Sequence, residues 1–304
     1  MKKYFFFFVL AGTAIFSSCD KVDDPYNATA TPVVPPSAGM VRKILLEEFT
    51  GHKCPNCPAG AVTLHSVQQN YPEQIIGVAI HSSFNYSLPL LPPSIFTQNF
   101  QTTVGDNYRT MFSPGSFPSG MVNRRHFATN GQILGYPIWH DSIAAIISKA
   151  PDAFLTITNM FSAGQLTTTV KCKFLSQLTS TYNLVLLLTE DSIIAPQTNG
   201  TVGNPADPNP VYGNGGDVSN YVHMHLLRDC ISDAAGAGVA VTPTYTGDST
   251  VTTTFPVYTL PVAFPVGGSA VQQTIPNPKN CRVVAFIYDT ATKEVIQAEE
   301  KNIQ

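Results

Sequence analysis

The apolar positions fall into two regimes. In residues 41–150 short apolar runs alternate with segments of helical period. Residues 41–50 carry Ile44-Leu45-Leu46 and predict a strand, which Gly51-His52-Lys53 breaks. After Cys54-Pro55-Asn56-Cys57, a helical pattern runs to about Asn70, with Ala61, Leu64, His65 and Gln68 on it. Residues 75–80 predict a second buried strand, 94–111 a helix, and 121–123 a short strand. Residues 138–149 predict an amphipathic helix with Ile143, Ile146 and Ile147 on one side. This alternation is the signature of an α/β unit.

Beyond residue 150 the pattern changes. Thr- and Val-dense segments at 154–160, 166–175, 182–189, 220–228, 251–260, 282–288 and 294–298 predict strands. The last two flank Asp289-Thr290-Ala291-Thr292 and predict a hairpin. No helical period of comparable length interrupts them, so residues 151–304 predict an all-β, immunoglobulin-like sandwich. Residues 196–219, rich in Gly, Asn, Pro and Asp, predict a long loop without the ligand spacing of a calcium loop. On the strand at 220–228, His223 and His225 are two apart and share a face with Tyr221. No third metal ligand accompanies them, which favours packing. Arg228 and Asp229 predict a local ion pair of little weight.

The first residues add a location. Lys2 and Lys3, an apolar run over 4–16, then Ser17-Ser18-Cys19 follow the order of a secretory signal. A cysteine directly after small residues resembles a bacterial lipoprotein box, with Phe16 where Leu is commoner. The organisation expected is a signal over 1–18, an acylated Cys19 with a Pro-rich tether over 19–40, then the two folded regions. No apolar run reaches the ~18–20 residues of a membrane-spanning helix, so the membrane contact is the lipid at Cys19. Which membrane face the tether points from is not encoded.

Composition narrows the classes. The chain has 304 residues, 12% of them charged, with a formal charge of −3. That excludes a coiled coil and a charged disordered tail, and the lack of basic runs excludes a nucleic-acid binder. Among six cysteines, the pair Cys54 and Cys57 carries the candidate chemistry. Pro55 suits the first helical position, which makes Cys54 the expected N-cap. The free backbone N–H groups and helix dipole there lower a thiol pKa, and Lys53 and His52 add positive charge. Cys54 would attack and Cys57 resolve. A structural disulfide is the competing reading, and a zinc site would have only His52 and His65 to add. Cys172 alternates with Lys171 and Lys173, faces a core and is expected to be inert. Elimination leaves Cys230–Cys281 as a second bridge.

The string ILLEEFTGHKCPNC resembles the thioredoxin superfamily. That resemblance implies a buried acid six residues before the first cysteine, here Glu48, moving the resolving thiol's proton. Alternation along the strand buries only one of Glu47 and Glu48, and a solvated strand end is the other reading of Glu48. It also implies a cis-proline facing the disulfide, for which Phe117-Pro118 before the strand at 121–123 fits, with an insertion around 82–112. Phe117 and Pro118 would then hold a partner's backbone.

Taken with the lipoprotein signal, the motifs PSGMVNR, YVHMHLLRD and VVAFIYDTATKEVIQAEE make the chain similar to the Omp-28-related outer-membrane lipoproteins. That implies a thioredoxin-like unit over 41–150, a β-rich unit over 151–304, and lipid anchorage at the outer membrane. It supplies no reaction. The leading expectation is thiol–disulfide exchange with envelope or surface proteins through Cys54 and the Pro118 loop, with Glu48 managing the proton. The alternative is a surface binding protein or adhesin in which Cys54–Cys57 is a staple. Neither a cofactor nor a metal is expected.

Overall fold

The computed structural model describes residues 40–200, 216–241, 249–264 and 274–304. The expected signal, Cys19 and all of the tether but Met40 lie outside the described residues.

Strand β1 (Ile44–Thr50) pairs in parallel with β2 (Ile75–His81), Leu46 opposite Gly77, and antiparallel with β3 (Ser119–Val122), Glu48 opposite Gly120. The crossover from β1 to β2 is helix α1 (Cys57–Asn70). All seven residues of both β1 and β2 are buried, because both faces of this sheet are covered. A two-residue strand β4 (Leu134–Gly135) closes that edge beside β3. Helix α2 (Thr103–Phe112) starts later than the pattern suggests. Its N-cap is Thr102, whose hydroxyl accepts from the Gly105 N–H at 3.0 Å. Helix α3 (Trp139–Ile147) follows a 3₁₀ turn at Tyr136–Ile138.

In the second half, β5 (Ala153–Ser162) and β6 (Gln165–Phe174) form a hairpin. They are followed by β7 (Tyr182–Glu190), β8 (Ile193–Asn199), β9 (Gly216–His223), β10 (Leu226–Cys230) and β11 (Val239–Val241). Then come β12 (Thr250–Thr254), β13 (Tyr258–Thr259), β14 (Cys281–Asp289) and β15 (Val295–Asn302). The expected hairpin at 289–292 is present between the last two, with Asp289 Oδ1 accepting from the Ala291 and Thr292 N–H groups.

The sheet does not stop at residue 150. Its order is β15-β14-β7-β10-β2-β1-β3-β4, with β11 added on β7. The link is β10, parallel to β2, where the Ala79 N–H donates to His225 O at 2.8 Å. Five strands of the second half, β15, β14, β7, β10 and β11, thus extend the first half's sheet, in a mixed α/β fold that is mostly sheet. The sheet curls: Lys43 N–H donates to Gln297 Oε1 at 2.9 Å and Gln297 Nε2 donates to Val41 O at 2.8 Å, returning β15 to the start of β1. Inside the curl pack Leu45, Phe49, Val78, Leu187, Val284 and Phe286, together with Tyr108 of α2. Outside, α1 and α3 cover Ile44 and Leu46, while β5 and β6 cover Leu184, Leu186, Val283 and Ala285. β12 and β13 pair with β6 in that smaller sheet.

Three expectations are corrected. Cys230 and Cys281 are free, buried thiols. They sit on the two strands flanking β7, opposite Leu187 and Glu190. Two strand spacings of ~4.8 Å already exceed the reach of a disulfide. Burial pushes the Cys281 and Cys172 thiols up to about 12. Next, the strand expected over 220–228 is two strands, broken at His225, whose φ is 57°. Residues 196–199 and 216–219 of the expected loop are strand, forming the β8–β9 hairpin. Finally, Arg228 and Asp229 do not pair locally. Arg228 Nε lies 3.3 Å from Glu190 Oε2, and Asp229 accepts from the Tyr258 hydroxyl at 2.7 Å.

Candidate functional site

The site is built at the C-terminal end of β1. Cys54 and Cys57 are joined in a disulfide with Cα atoms 5.4 Å apart. The helix starts later than expected: Asn56 is the N-cap, Cys57 the first helical residue, and Pro58 takes the N-terminal turn. Pro58 has no N–H to leave unpaired, so this register suits it as well as the expected one suited Pro55. Cys54 therefore lies in the turn before the helix, its N–H donating to Gly51 O at 3.0 Å.

Both cysteines are almost fully buried, and Cys57 alone of the two lines a cavity. Cys54 is 1% exposed and Cys57 2%. Loop 82–96 clamps the turn from one side, where the Lys53 N–H donates to Tyr86 O at 2.9 Å. β8 clamps it from the other, with Thr198 N–H donating to His52 O at 2.8 Å and Gly200 N–H to Pro55 O at 2.7 Å. Gln197 Nε2 reaches Cys54 O at 3.0 Å and Gly51 O at 3.3 Å. Gln197 was not recognisable in the sequence, because its segment reads as loop.

Glu48 faces α1. It is 2% exposed, and its Oε1 has no hydrogen-bond partner among the described residues. Burial pushes its carboxyl up to about 8, against a smaller opposing effect of a hydrogen bond with Thr50. Gly60 on α1 permits this approach: a Cβ there would sit 2.7 Å from Glu48 Oε1 and 2.8 Å from Pro118 Cβ. The Phe117–Pro118 bond is cis, and Glu48, Gly60 and Pro118 meet at one point. Phe117 is buried against Phe49 and Phe84, with ring centroids at 6.5 and 4.9 Å.

Alternation does not decide between Glu47 and Glu48, since both are buried. Glu47, on the opposite face of β1, receives both arms of Arg124 at 2.7 and 2.6 Å, with both side chains 1% exposed or less. The Arg124 guanidinium lies over the rings of Tyr108 and Phe286, at 4.4 and 4.7 Å.

Histidines form the site's other wall. His52, His81 and His223 pack ring to ring, with centroids 6.2 Å (His52–His81) and 5.9 Å (His81–His223) apart, around Phe100. His52 does not supply the expected positive charge: burial first, then the charges of His223 and Lys53, lowers it to about 3. Burial likewise lowers His223 to about 4, and His81 well below the usual histidine range. No nitrogen of His52 or His81 has a hydrogen-bond partner among the described residues. No group of three or more His, Cys, Asp or Glu side chains there is placed to hold a metal ion. His81 closes the apolar run Ile75–Ile80, and a polar residue in that position is the signal by which it could have been found.

A cavity of about 210 Å3 joins the two walls. Glu48, Cys57, His81, Gln197 and His223 line it, with Leu64 and Val62 of α1 as apolar floor. His223 and His225 both line it despite the strand break between them. His225 is fixed by Asp191, whose Oδ1 accepts from its backbone N–H at 2.7 Å.

The family model for the outer membrane protein Omp28 matches residues 105–304. The match begins within α2 and leaves Glu48, Cys54 and Cys57 outside it. Among solved structures, HBP35 of Porphyromonas gingivalis is similar at a TM-score of 0.60 and 15% identity, covering 88% of this chain and 76% of that one. A protein from Agrobacterium tumefaciens is similar at 0.43 and 12%, covering 88% and 97%. A domain of the outer membrane lipoprotein Omp28 from Porphyromonas gingivalis is similar at 0.30 and 17%, covering 51% and 89%. At these identities the first likeness concerns fold alone, and the other two carry no argument. No curated protein matches the chain.

Proposed function

Since the chain belongs to the Omp28 family of outer-membrane proteins, we propose that it is a lipid-anchored envelope protein whose Cys54–Cys57 pair performs thiol–disulfide exchange. Outer-membrane placement follows from the family. Acylation of Cys19 is the means we assign to it. For residues 41–150 we read a thioredoxin-like unit: β1, CxxC, α1, β2, then a cis-proline leading into β3. For 151–304 we read an immunoglobulin-like sandwich, with β5, β6, β12 and β13 as one sheet and the strands it shares with the first unit as the other.

The observation that carries the reading is Glu48. A buried carboxyl with an unpaired oxygen costs on the order of 1–3 kcal/mol or more. A staple needs no such group. At about 8, Glu48 is protonated near neutral pH and poised to give or take a proton beside Cys57. In exchange, one thiolate of the reduced pair attacks the partner's disulfide. A mixed disulfide forms and a partner thiolate leaves. The second cysteine loses its proton, attacks the mixed disulfide and releases the other partner thiolate. Glu48 relays the proton between that cysteine and the leaving sulfur. A protein partner docking at Cys54 and the Phe117–Pro118 loop requires β8–β9 to lift from residues 51–55 first.

The burial of both sulfurs favours the second reading, a staple within a surface binding protein. The reduction potential of the pair, with a Cys57→Ser variant to trap partners, separates the two. A potential above about −270 mV with captured mixed disulfides supports exchange. A potential below about −300 mV with none captured identifies a staple.

A further inference from the structure

We infer that Cys57, rather than Cys54, is the sulfur that meets substrate, and that the substrate is a small uncharged disulfide admitted through the histidine-lined cavity. The inference rests on the exchange reading and names its substrate class.

Access distinguishes the two sulfurs. Cys57 lines the cavity and Cys54 does not. Cys54 sits in a turn held by backbone hydrogen bonds from both Tyr86 and β8, with Gln197 on its own carbonyl. Reaching it means breaking several of those bonds. Reaching Cys57 through the cavity breaks none. Cys57 also opens the 14-residue helix α1, where unpaired N–H groups and the helix dipole favour a thiolate.

Size and charge define the ligand. About 210 Å3 falls short of the roughly 300–1,000 Å3 typical of drug-sized ligands, and no folded polypeptide enters such a space. No lysine, arginine or aspartate is among the lining residues. Of the titratable groups that are, burial keeps Glu48 protonated and His81 and His223 neutral near pH 7. His65, His225, Tyr221 and Cys57 are the others, His225 lying against Asp191. The described lining thus offers a charged substrate no lysine, arginine or aspartate to offset its lost hydration. Glu48 Oε1 and both His81 nitrogens, on residues that line the cavity, have no hydrogen-bond partner among the described residues. Ala61, Val62 and Leu64 supply apolar contact.

In the reduced protein, the Cys57 thiolate attacks one sulfur of R–S–S–R. The Cys57–S–S–R bond forms, R–S⁻ leaves, and protonated Glu48 gives it a proton. The Glu48 carboxylate then takes the Cys54 proton as Cys54 attacks Cys57, forming Cys54–Cys57 and releasing the second R–S⁻, which is protonated in turn. The protein's dithiol is oxidised, and R–S–S–R is reduced to two R–SH.

The test uses the full chain in detergent as Cys54→Ser and Cys57→Ser variants, reduced and then exposed to bis(2-hydroxyethyl) disulfide or to anionic glutathione disulfide. Adducts are located by peptide mass spectrometry. The expected result is hydroxyethyl labelling of Cys57 in Cys54→Ser roughly tenfold or more faster than of Cys54 in Cys57→Ser, since exchange rates follow access. Glutathione labelling should be slower still. Ala61→Phe in the Cys54→Ser background should suppress Cys57 labelling while the circular dichroism spectrum stays unchanged. Faster labelling of Cys54, equal labelling by both reagents, or indifference to Ala61→Phe overturns the inference and leaves exchange intact. If neither cysteine forms an adduct, and the wild-type disulfide resists reduction below about −300 mV, the exchange reading falls with it.

Discussion

Two carboxylates stand side by side on β1 and meet opposite fates. Glu47 faces the inside of the curled sheet, where Arg124 meets it with two short hydrogen bonds under a roof of aromatic rings. Glu48 faces α1, where one oxygen has no partner among the described residues and burial holds the proton on. Both are fully buried, so burial alone does not separate structural from chemical carboxyls. The difference lies in the counter-charge. Glu47 is held in place by its counter-charge, whereas Glu48, buried without one, keeps its proton.

The largest effect comes from breaking the locked pair. Arg124→Met leaves Glu47 charged and alone in an apolar interior, and Glu47→Gln strands the guanidinium. Each should destabilise the fold by about 3–5 kcal/mol. Glu48→Gln, at the neighbouring position, should be neutral or mildly stabilising near pH 8. Urea unfolding of the three variants makes the comparison, and equal losses at 47 and 48 would erase the distinction.

The pH profile comes next. The folded-state pKa of Glu48 is raised from 4.5 to about 8. Its neutral form is therefore the folded state's preference. That contribution is complete below about 4.5 and is lost as pH rises through 8, at about 1.4 kcal/mol per unit. The three buried histidines act in the opposite sense. Their folded pKa values are depressed, to about 3 for His52 and about 4 for His223. Their contribution is present above about 6.5 and is lost as pH falls below it. Stability should peak near pH 6–7. The difference between wild type and Glu48→Gln should fall by a few kcal/mol from pH 4.5 to 8. A flat difference would mean Glu48 is already ionised in the folded protein.

A smaller effect is expected at Gly60. A methyl group there meets Glu48 Oε1 and Pro118, so Gly60→Ala should cost about 1–3 kcal/mol from overpacking. Repeating it in a Glu48→Ala background should relieve part of that cost, because Pro118 Cβ still lies 2.8 Å from the added methyl group.

How much of this was legible follows from the range of each signal. β1, the CxxC, α1, β2 and the Phe117–Pro118 cis bond are announced by short strings, and the sequence locates them. The fate of Glu47 was hidden because its partner, Arg124, is 77 residues away. The cavity was hidden for the same reason, since Glu48, Cys57, His81 and His223 come from four separate elements. β8 read as loop because Pro196, a poor strand residue, sits inside it. Its hydrogen bonds resume beyond a bulge between Ala195 and Gln197. Cys230–Cys281 failed because counting cysteines takes no account of which strands lie between them. The pattern at 151–304 located most of the strands but missed β8, β11 and the break at His225, and local alternation does not say which sheet a strand joins, so the extension through β10 could not be read.

The smallest effect probes the seal over Cys54. Gln197 ties β8 to the turn through its contacts with Gly51 O and Cys54 O, at 3.3 and 3.0 Å. Each such bond is worth about 0.5–1.5 kcal/mol net, so Gln197→Ala should favour lifting of the hairpin by about that much. Reduction of the disulfide by a protein reductant, which must uncover the turn, should then accelerate by roughly three- to tenfold at constant pH. The Glu47–Arg124 side of β1 should be unaffected, and the urea midpoint should move little, because the bonds lost are local to the hairpin. A protein reductant that gains nothing from Gln197→Ala would mean the hairpin already opens freely, or that proteins reach the pair by the cavity side. Measuring the same rate with Arg124→Met separates these. Global loosening should accelerate reduction by way of lower overall stability, and Gln197→Ala should do so without it.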